Sequence, residues 1–201
     1  MGSYYKIDLD DTESINYCKG WSNSVENLTF IIDSRKNGYN SLVNHYEKMV
    51  DIAKGRYVWG FSDNTTILTE EWNYILNNVL LSPFKIYYPY IDFHRESLPI
   101  YPKKWKEILG HIAPHSGIDV YIQRIMELDG IQDFGKPLNS DYVEYVDDIE
   151  ILHNVGLNDE TTRDKYTFRG GDQFQIDARN KYYDSPYMLK DKDKIFNYLN
   201  S

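Results

Sequence analysis

Ser140-Asp-Tyr-Val-Glu-Tyr-Val-Asp-Asp-Ile-Glu-Ile-Leu-His-Asn-Val-Gly156 is the stretch on which the fold turns. Its apolar residues Tyr142, Tyr145, Val146, Ile149 and Leu152 recur at the spacing of one helix face, and Gly156 stands where a helix would end. Asp141, Glu144, Asp147, Asp148 and Glu150 fill most of the remaining positions, and no Lys or Arg occurs between Pro137 and Thr162. The pattern predicts an acidic helix, either a solvated face or a docking surface for a basic partner.

Upstream, four further helices are expected. Between Asn40 and Lys54, Leu42, Val43, Tyr46, Met49, Val50 and Ala53 recur at three and four, with Gly55 placed for a left-handed cap. Thr69 can cap a helix carrying Trp72, Ile75, Leu76 and Val79 that stops at Ser82-Pro83. Pro102 suits the first turn of a helix carrying Trp105, Ile108, Leu109 and Ile112, with Pro114 ending it. Ser116 and Asp119 resemble a capping box ahead of Ile118, Tyr121, Ile122 and Ile125, closed by Gly130. Shifted by 33 residues, Ile67 falls on Ile100, Trp72 on Trp105, Ile75 on Ile108, Leu76 on Leu109 and Val79 on Ile112. This reads either as a duplication or as two similarly amphipathic helices.

Strands are marked by period two. Tyr5, Ile7 and Leu9 alternate with polar residues, as do Leu28, Phe30 and Ile32, and these two segments predict an early sheet. Tyr57 to Phe61 reads as a short aromatic strand or loop, and Phe84 to Tyr88 as an extended segment broken by Pro89. Tyr166 to Ile176 fits a hairpin around Gly170-Gly171-Asp172, since that three-residue loop sets Phe168 against Phe174 and Tyr166 against Ile176. Lys190 to Ser201 is charged and then apolar, as a short docking helix would be. The expectation is an α+β fold with five to six helices, a small mostly antiparallel sheet and a C-terminal hairpin, and no βαβ rhythm. Residues 1–201 fit a single domain, with 163–201 a hairpin-plus-helix extension.

Composition narrows the function. The net charge of −9 has the wrong sign for gripping phosphate backbones, so no direct nucleic-acid contact is expected. One cysteine, Cys18, rules out an internal disulfide framework and a cysteine-rich zinc site, and it reads better as a small core residue than as a nucleophile. Neither a secretory leader nor a membrane span is visible, so the chain is expected to be soluble. The sequons Asn27-Leu-Thr29 and Asn64-Thr-Thr66 then read as a strand edge and a helix entrance. Nineteen tyrosines point to protein contact, because tyrosine offers amphipathic area at low rotamer cost; an AT-rich coding sequence accounts for the same excess.

Catalytic signatures are sparse. No Gly-x-Ser-x-Gly, P-loop, Gly-x-Gly-x-x-Gly, His-Glu-x-x-His or Cys-x-x-Cys occurs. In Asp92-Phe-His-Arg-Glu96, period two sets Asp92, His94 and Glu96 on one strand face, near His111 and His115 in the chain; such a mixture could hold a divalent cation, but a surface loop with ion pairs explains it better. Arg169-Gly-Gly-Asp172 reads as a hairpin tip, and His45 and His153 as partly exposed helical side chains. No catalytic residue, metal or cofactor is therefore expected.

The stretch Phe61-Ser-Asp-Asn-Thr-Thr-Ile-Leu-Thr-Glu-Glu-Trp-Asn-Tyr-Ile75 resembles a segment of structural proteins of tailed-phage tails and baseplates. There an aromatic and a polar turn lead through Ile-x-Thr into a helix bearing Asn and Ile, matched here by Ile67, Thr69, Asn73 and Ile75. That segment usually lies near the N-terminus, whereas here it starts at position 61. The resemblance implies a virion structural protein, a tail, neck or baseplate component bound to other proteins in a multi-chain assembly. Trp72, Trp105, Tyr87, Tyr88 and Tyr90 are the expected anchors, in the core or at an interface. Two alternatives stand beside it. One is a cytoplasmic acidic inhibitor or immunity protein that offers Asp141, Glu144, Asp147 and Asp148 to a basic toxin or nucleic-acid enzyme. The other is a metal-assisted hydrolase centred on Asp92, His94 and His111.

Overall fold

The computed structural model describes residues 3–22, 28–34, 42–61, 65–80, 82–91, 98–114, 117–126, 141–153 and 186–201. The chain begins with strand β1 (Ser3–Asp8), helix α1 (Thr12–Ser22) and strand β2 (Leu28–Asp33), and β1 and β2 pair in parallel from Ser3↔Leu28 to Asp8↔Asp33. The expected early sheet is present, but it is a β–α–β unit, which the sequence reading did not anticipate. Asp11 starts α1, its side-chain oxygen accepting the Ser14 N–H at 3.0 Å. Helix α2 (Leu42–Ile52) follows as expected, although Gly55 is not left-handed: a side chain there would meet the Tyr57 carbonyl at 3.3 Å.

A second sheet of five strands holds the rest. It is built from β3 (Tyr57–Trp59), β4 (Thr65–Ile67), β5 (Ile86–Ile91), β6 (Ile100–Pro102) and β7 (Val143–His153), in the order β3-β6-β5-β7-β4. Pairing is antiparallel except between the central strands β5 and β7. Helices α3 (Trp72–Val79), α4 (Lys104–Leu109), α5 (Ile118–Met126) and α6 (Pro186–Leu199) complete an α+β fold with six helices among the described residues. None of them is long and apolar enough to cross a membrane.

The acidic stretch is strand β7, not a helix. The reason lies in how β7 is buried. Successive strand residues face opposite sides of a sheet, and β5 and β7 are central strands with a core on each side. Val143 packs with Ile86, Tyr88, Tyr101, Trp105 and the buried residues of α5; Val146, Ile149 and Ile151 pack instead with Tyr87, Ile91, Ile100 and Leu76. Between Pro89↔Val146 and Tyr90↔Glu150 the ladder skips, so Asp147, Asp148 and Ile149 have no opposite residue in β5. A change of face and then a bulge place buried residues at 143, 146 and 149, a spacing of three that imitates a helix.

Pro89 does not break β5 either. It lies within the strand beside this irregularity, where a missing N–H is tolerated. The bulge is held from outside by Thr69, whose hydroxyl accepts the Glu150 N–H at 2.8 Å and donates to the Asp148 carbonyl at 3.3 Å. Thr69 is therefore not the cap of α3; Glu71 starts that helix with a left-handed backbone, φ 55°, and no side-chain cap.

Helix α4 is shorter than its apolar pattern predicts. Pro102 belongs to β6, and Gly110 ends the helix with φ 86°, leaving Ile112 buried in the segment beyond. Residues aligned by the 33-residue shift lie in like places, Ile67 and Ile100 in strands and Trp72 and Trp105 in helices. They serve different cores, however: Trp72 packs on the Leu76 cluster and Trp105 belongs to the Tyr88 cluster. The C-terminal helix is longer than expected and docks by Met188, Asp191 and Ile195. The proposed hairpin at 166–176, its tip Arg169 to Asp172, and the capping Ser116 lie outside the described residues.

Candidate functional site

A buried carboxylate lies beneath α6. Asp191 is 1% exposed, on the stripe that Met188 and Ile195 complete at helical spacing. Four groups from three parts of the fold gather around it. Tyr121, from α5, donates its hydroxyl proton to Asp191 Oδ2. His111 Nε2, turned inward just after Gly110, lies 2.9 Å from the same oxygen, and Lys194 Nζ, one turn along α6, is 2.8 Å from Oδ1. The Tyr187 hydroxyl is 3.0 Å from His111 Nε2, and the His111 ring lies 5.9 Å from the ring of Tyr121 and 5.6 Å from that of Tyr187.

Electrostatics make this a tie between helices. Burial alone would raise the Asp191 carboxyl, but hydrogen bonds from Lys194 and Tyr121, together with the neighbouring His111, hold it below its ordinary value of 3.8. Burial first, and then the bond to Asp191, push the Tyr121 hydroxyl far above its ordinary value. With Asp191 ionised, a proton on His111 Nε2 completes the bond between them, while Nδ1 is buried with no hydrogen-bond partner among the described residues. Bonded to Asp191 and Tyr187 through Nε2, the ring helps the group work as a strut that fixes α6 on α4 and α5.

An open cleft of about 610 Å³ adjoins His111, lined by Val43, Asn44, Glu47, Lys48, Ala113 and Pro114. Its charged groups are engaged within the fold. Glu47 Oε1 accepts the Ile112 N–H at 2.6 Å, Oε2 is 3.1 Å from Lys106 Nζ, and Lys48 pairs with Asp33. Lys106 also bonds Asp51 and the Glu47 carbonyl, so α2 and α4 are joined by a second polar knot. Burial works against the Lys106 charge, but Asp51 and Glu47 more than compensate and raise its pKa.

The structure distributes the expected site residues unevenly. Tyr87, Tyr88 and Trp105 are fully buried in the two cores, Trp72 is half-buried with its ring 5.7 Å from that of Trp59, and Tyr90 is exposed. Glu144 bonds Lys85 at 2.9 Å, and that bond raises the Lys85 pKa despite the cost of burial. Asp141 is exposed ahead of β7, and Asp147 and Asp148 are exposed in its bulge. His45 is buried rather than partly exposed, His153 lies in a strand rather than a helix, and Cys18 is a partly exposed residue of α1 rather than a core residue. Asp92, His94, Glu96 and His115 lie outside the described residues, and among the described residues no three His, Cys, Asp or Glu side chains are grouped to hold a metal.

Sequence reasoning missed Asp191, Tyr121 and Lys194 as a group. Lys190-Asp-Lys-Asp-Lys194 reads as surface, yet the spacing of Met188, Asp191 and Ile195 carries the signal that one acid falls on the apolar stripe. The surface is rich in aromatics: of eleven exposed large hydrophobic residues among those described, five are Tyr17, Tyr74, Tyr90, Tyr145 and Tyr187. No family model, curated protein or solved structure matches this chain.

Proposed function

We propose that the chain is a structural component of a phage-like particle, a tail, neck or baseplate protein that works by binding other polypeptides and not by catalysis. The observation that carries this reading is the scatter of exposed tyrosines. Tyr17 is on α1, Tyr74 on α3, Tyr90 on β5, Tyr145 on β7 and Tyr187 on α6, so aromatic contact area is offered by five elements and not gathered in one cleft. A subunit that touches several neighbours needs such a surface, because large aromatics supply most contact energy. The resemblance of Phe61–Ile75 to a segment of tail and baseplate proteins, in which a polar turn leads through Ile-x-Thr into a helix bearing Asn and Ile, supports the same reading. The polar knots at Asp191 and Lys106 support it from another side, since their charges are satisfied inside the fold.

The test is mass spectrometry of particles sedimented from the source culture. The chain is expected there in fixed ratio to other particle proteins, and Tyr74→Ser is expected to reduce its incorporation while shifting stability by less than about 0.5 kcal/mol. Recovery only in the unsedimented fraction overturns the reading.

The exposed carboxylates Asp147, Asp148 and Glu150 favour a second reading, an acidic inhibitor of a basic partner. It requires an association rate that falls steeply with salt; a partner bound equally well at 1 M salt removes it.

A further inference from the structure

Three buried residues seat α6 in the fold, and the middle one is an acid. Met188, Asp191 and Ile195 are the buried positions of this fourteen-residue helix, with Phe196, Tyr198 and Leu199 half-buried at its end. The nine-residue α5, by contrast, buries Tyr121, Ile122, Ile125 and Met126. On apolar burial alone α6 is therefore held less firmly than α5. The remainder of its hold is the Asp191 carboxylate.

The titratable groups around that carboxylate come from every element packed on it. Lys194 Nζ belongs to α6 itself, His111 Nε2 to the segment after α4 and the Tyr121 hydroxyl to α5; Tyr187, also of α6, reaches it through His111 Nε2. Lys194 bonds the Leu109 carbonyl as well, at 3.4 Å. Two oxygens thus accept from three donors, and two of those donors belong to the body on which α6 rests. A carboxylic acid in the same place would bring a proton of its own into a ring of donors and give up the charge that Lys194 balances. The ionised form fits the site and the neutral form does not. An apolar side chain at position 191 would seat the helix without that condition, since a buried charge network is often no more stabilising than a hydrophobic replacement.

We propose that α6 is an acid-released latch: when Asp191 takes up a proton, α6 leaves α4 and α5 as a unit while the five-stranded sheet stays folded. Release of one weakly packed element ahead of the rest is the ordinary form of local opening. The sheet keeps its second core, in which Leu76, Tyr87, Ile91, Ile100, Val146, Ile149 and Ile151 are buried away from α6. Burial raises the Asp191 carboxyl, but the bonds from Lys194 and Tyr121 more than offset it, and a folded value below 3.8 keeps the latch shut at neutral pH.

The experiment uses the purified full chain carrying Cys18→Ser and one new thiol at a time, Ile195→Cys on α6 or Ile151→Cys on β7, both at positions 0% exposed. Labelling by a dithiodipyridine, which reacts with thiols in acid, is followed from pH 7 to pH 2 relative to the same variant unfolded in guanidinium. Ile195→Cys is expected to label at least tenfold faster as pH falls below about 4, with Ile151→Cys still protected there. Asp191→Asn keeps the shape and removes the charge; it is expected to speed labelling of Ile195→Cys at least tenfold at pH 7 and to flatten its pH profile, with Ile151→Cys again protected. Exposure of both thiols together, in acid or in Asp191→Asn, overturns the proposal. So does protection of Ile195→Cys down to pH 2, or a pH profile that Asp191→Asn leaves unchanged.

Discussion

The five-stranded sheet and the β1–α1–β2 layer use strands in opposite ways. The first encloses a core on each face, with 15 buried apolar residues in one cluster and 7 in the other among the described residues. The second, among the residues whose burial is described, contributes Ile7 alone, and Ile7 belongs to neither cluster. At roughly 1.5–3 kcal/mol for each large apolar side chain fully buried, the body of the protein carries its stability and the N-terminal layer is attached to it. The lesson is that strand length does not measure security: β2 is six residues long, yet none of Thr29–Asp33 is buried.

That contrast can be broken by mutation. Trp105→Ala, which empties a site 2% exposed, is expected to cost about 3–5 kcal/mol and lower the single unfolding midpoint in denaturant. Asp191→Ala is expected to cost about 3 kcal/mol, because Tyr121, His111 and Lys194 lose their common acceptor. Its pH dependence follows from the sign of the shift. The folded pKa lies below 3.8, so the stabilisation is complete above that value and is lost as pH falls through the folded one; tyrosine fluorescence reporting α6 docking is expected to stay flat from pH 8 to 5.

Ile7→Ala sharpens the comparison, with an expected loss of about 2 kcal/mol confined to residues 3–33. Hydrogen exchange is expected to quicken there while β5 and β7 stay protected; equal loosening of both regions would remove the distinction. The smallest effect expected is that of Thr69→Ala, about 1 kcal/mol, read as faster exchange of the Glu150 amide.

Much of this architecture was legible where one rule dominates. Period two located β1 and β2, and period 3.6 located α2, α3 and α5, although Ile32, on the expected apolar face of β2, is exposed. Legibility failed where two rules overlapped. Val143, Val146 and Ile149 imitate a helix because burial on both faces and a bulge add up to a spacing of three. Pro89 signalled a break but sits where no donor is needed, and Thr69 had the chemistry of a cap but spends it on β7. Of the polar site, His111 was noticed beside Asp92, His94 and His115, which lie outside the described residues. Its partner Asp191 lies 80 positions further along the chain, and no local spacing announces a contact at that separation.

The three-residue excess in β7 also bears on how the protein avoids errors of assembly. Two parallel strands rich in Ile, Val and Tyr, joined through some fifty intervening residues, would otherwise find several almost equally good alignments by sliding. With surplus length at one fixed point, and Thr69 gripping the backbone on either side of Ile149, a slipped alignment satisfies one half of the ladder only by spoiling the other. The irregularity at the centre of the molecule thus acts as a vernier mark.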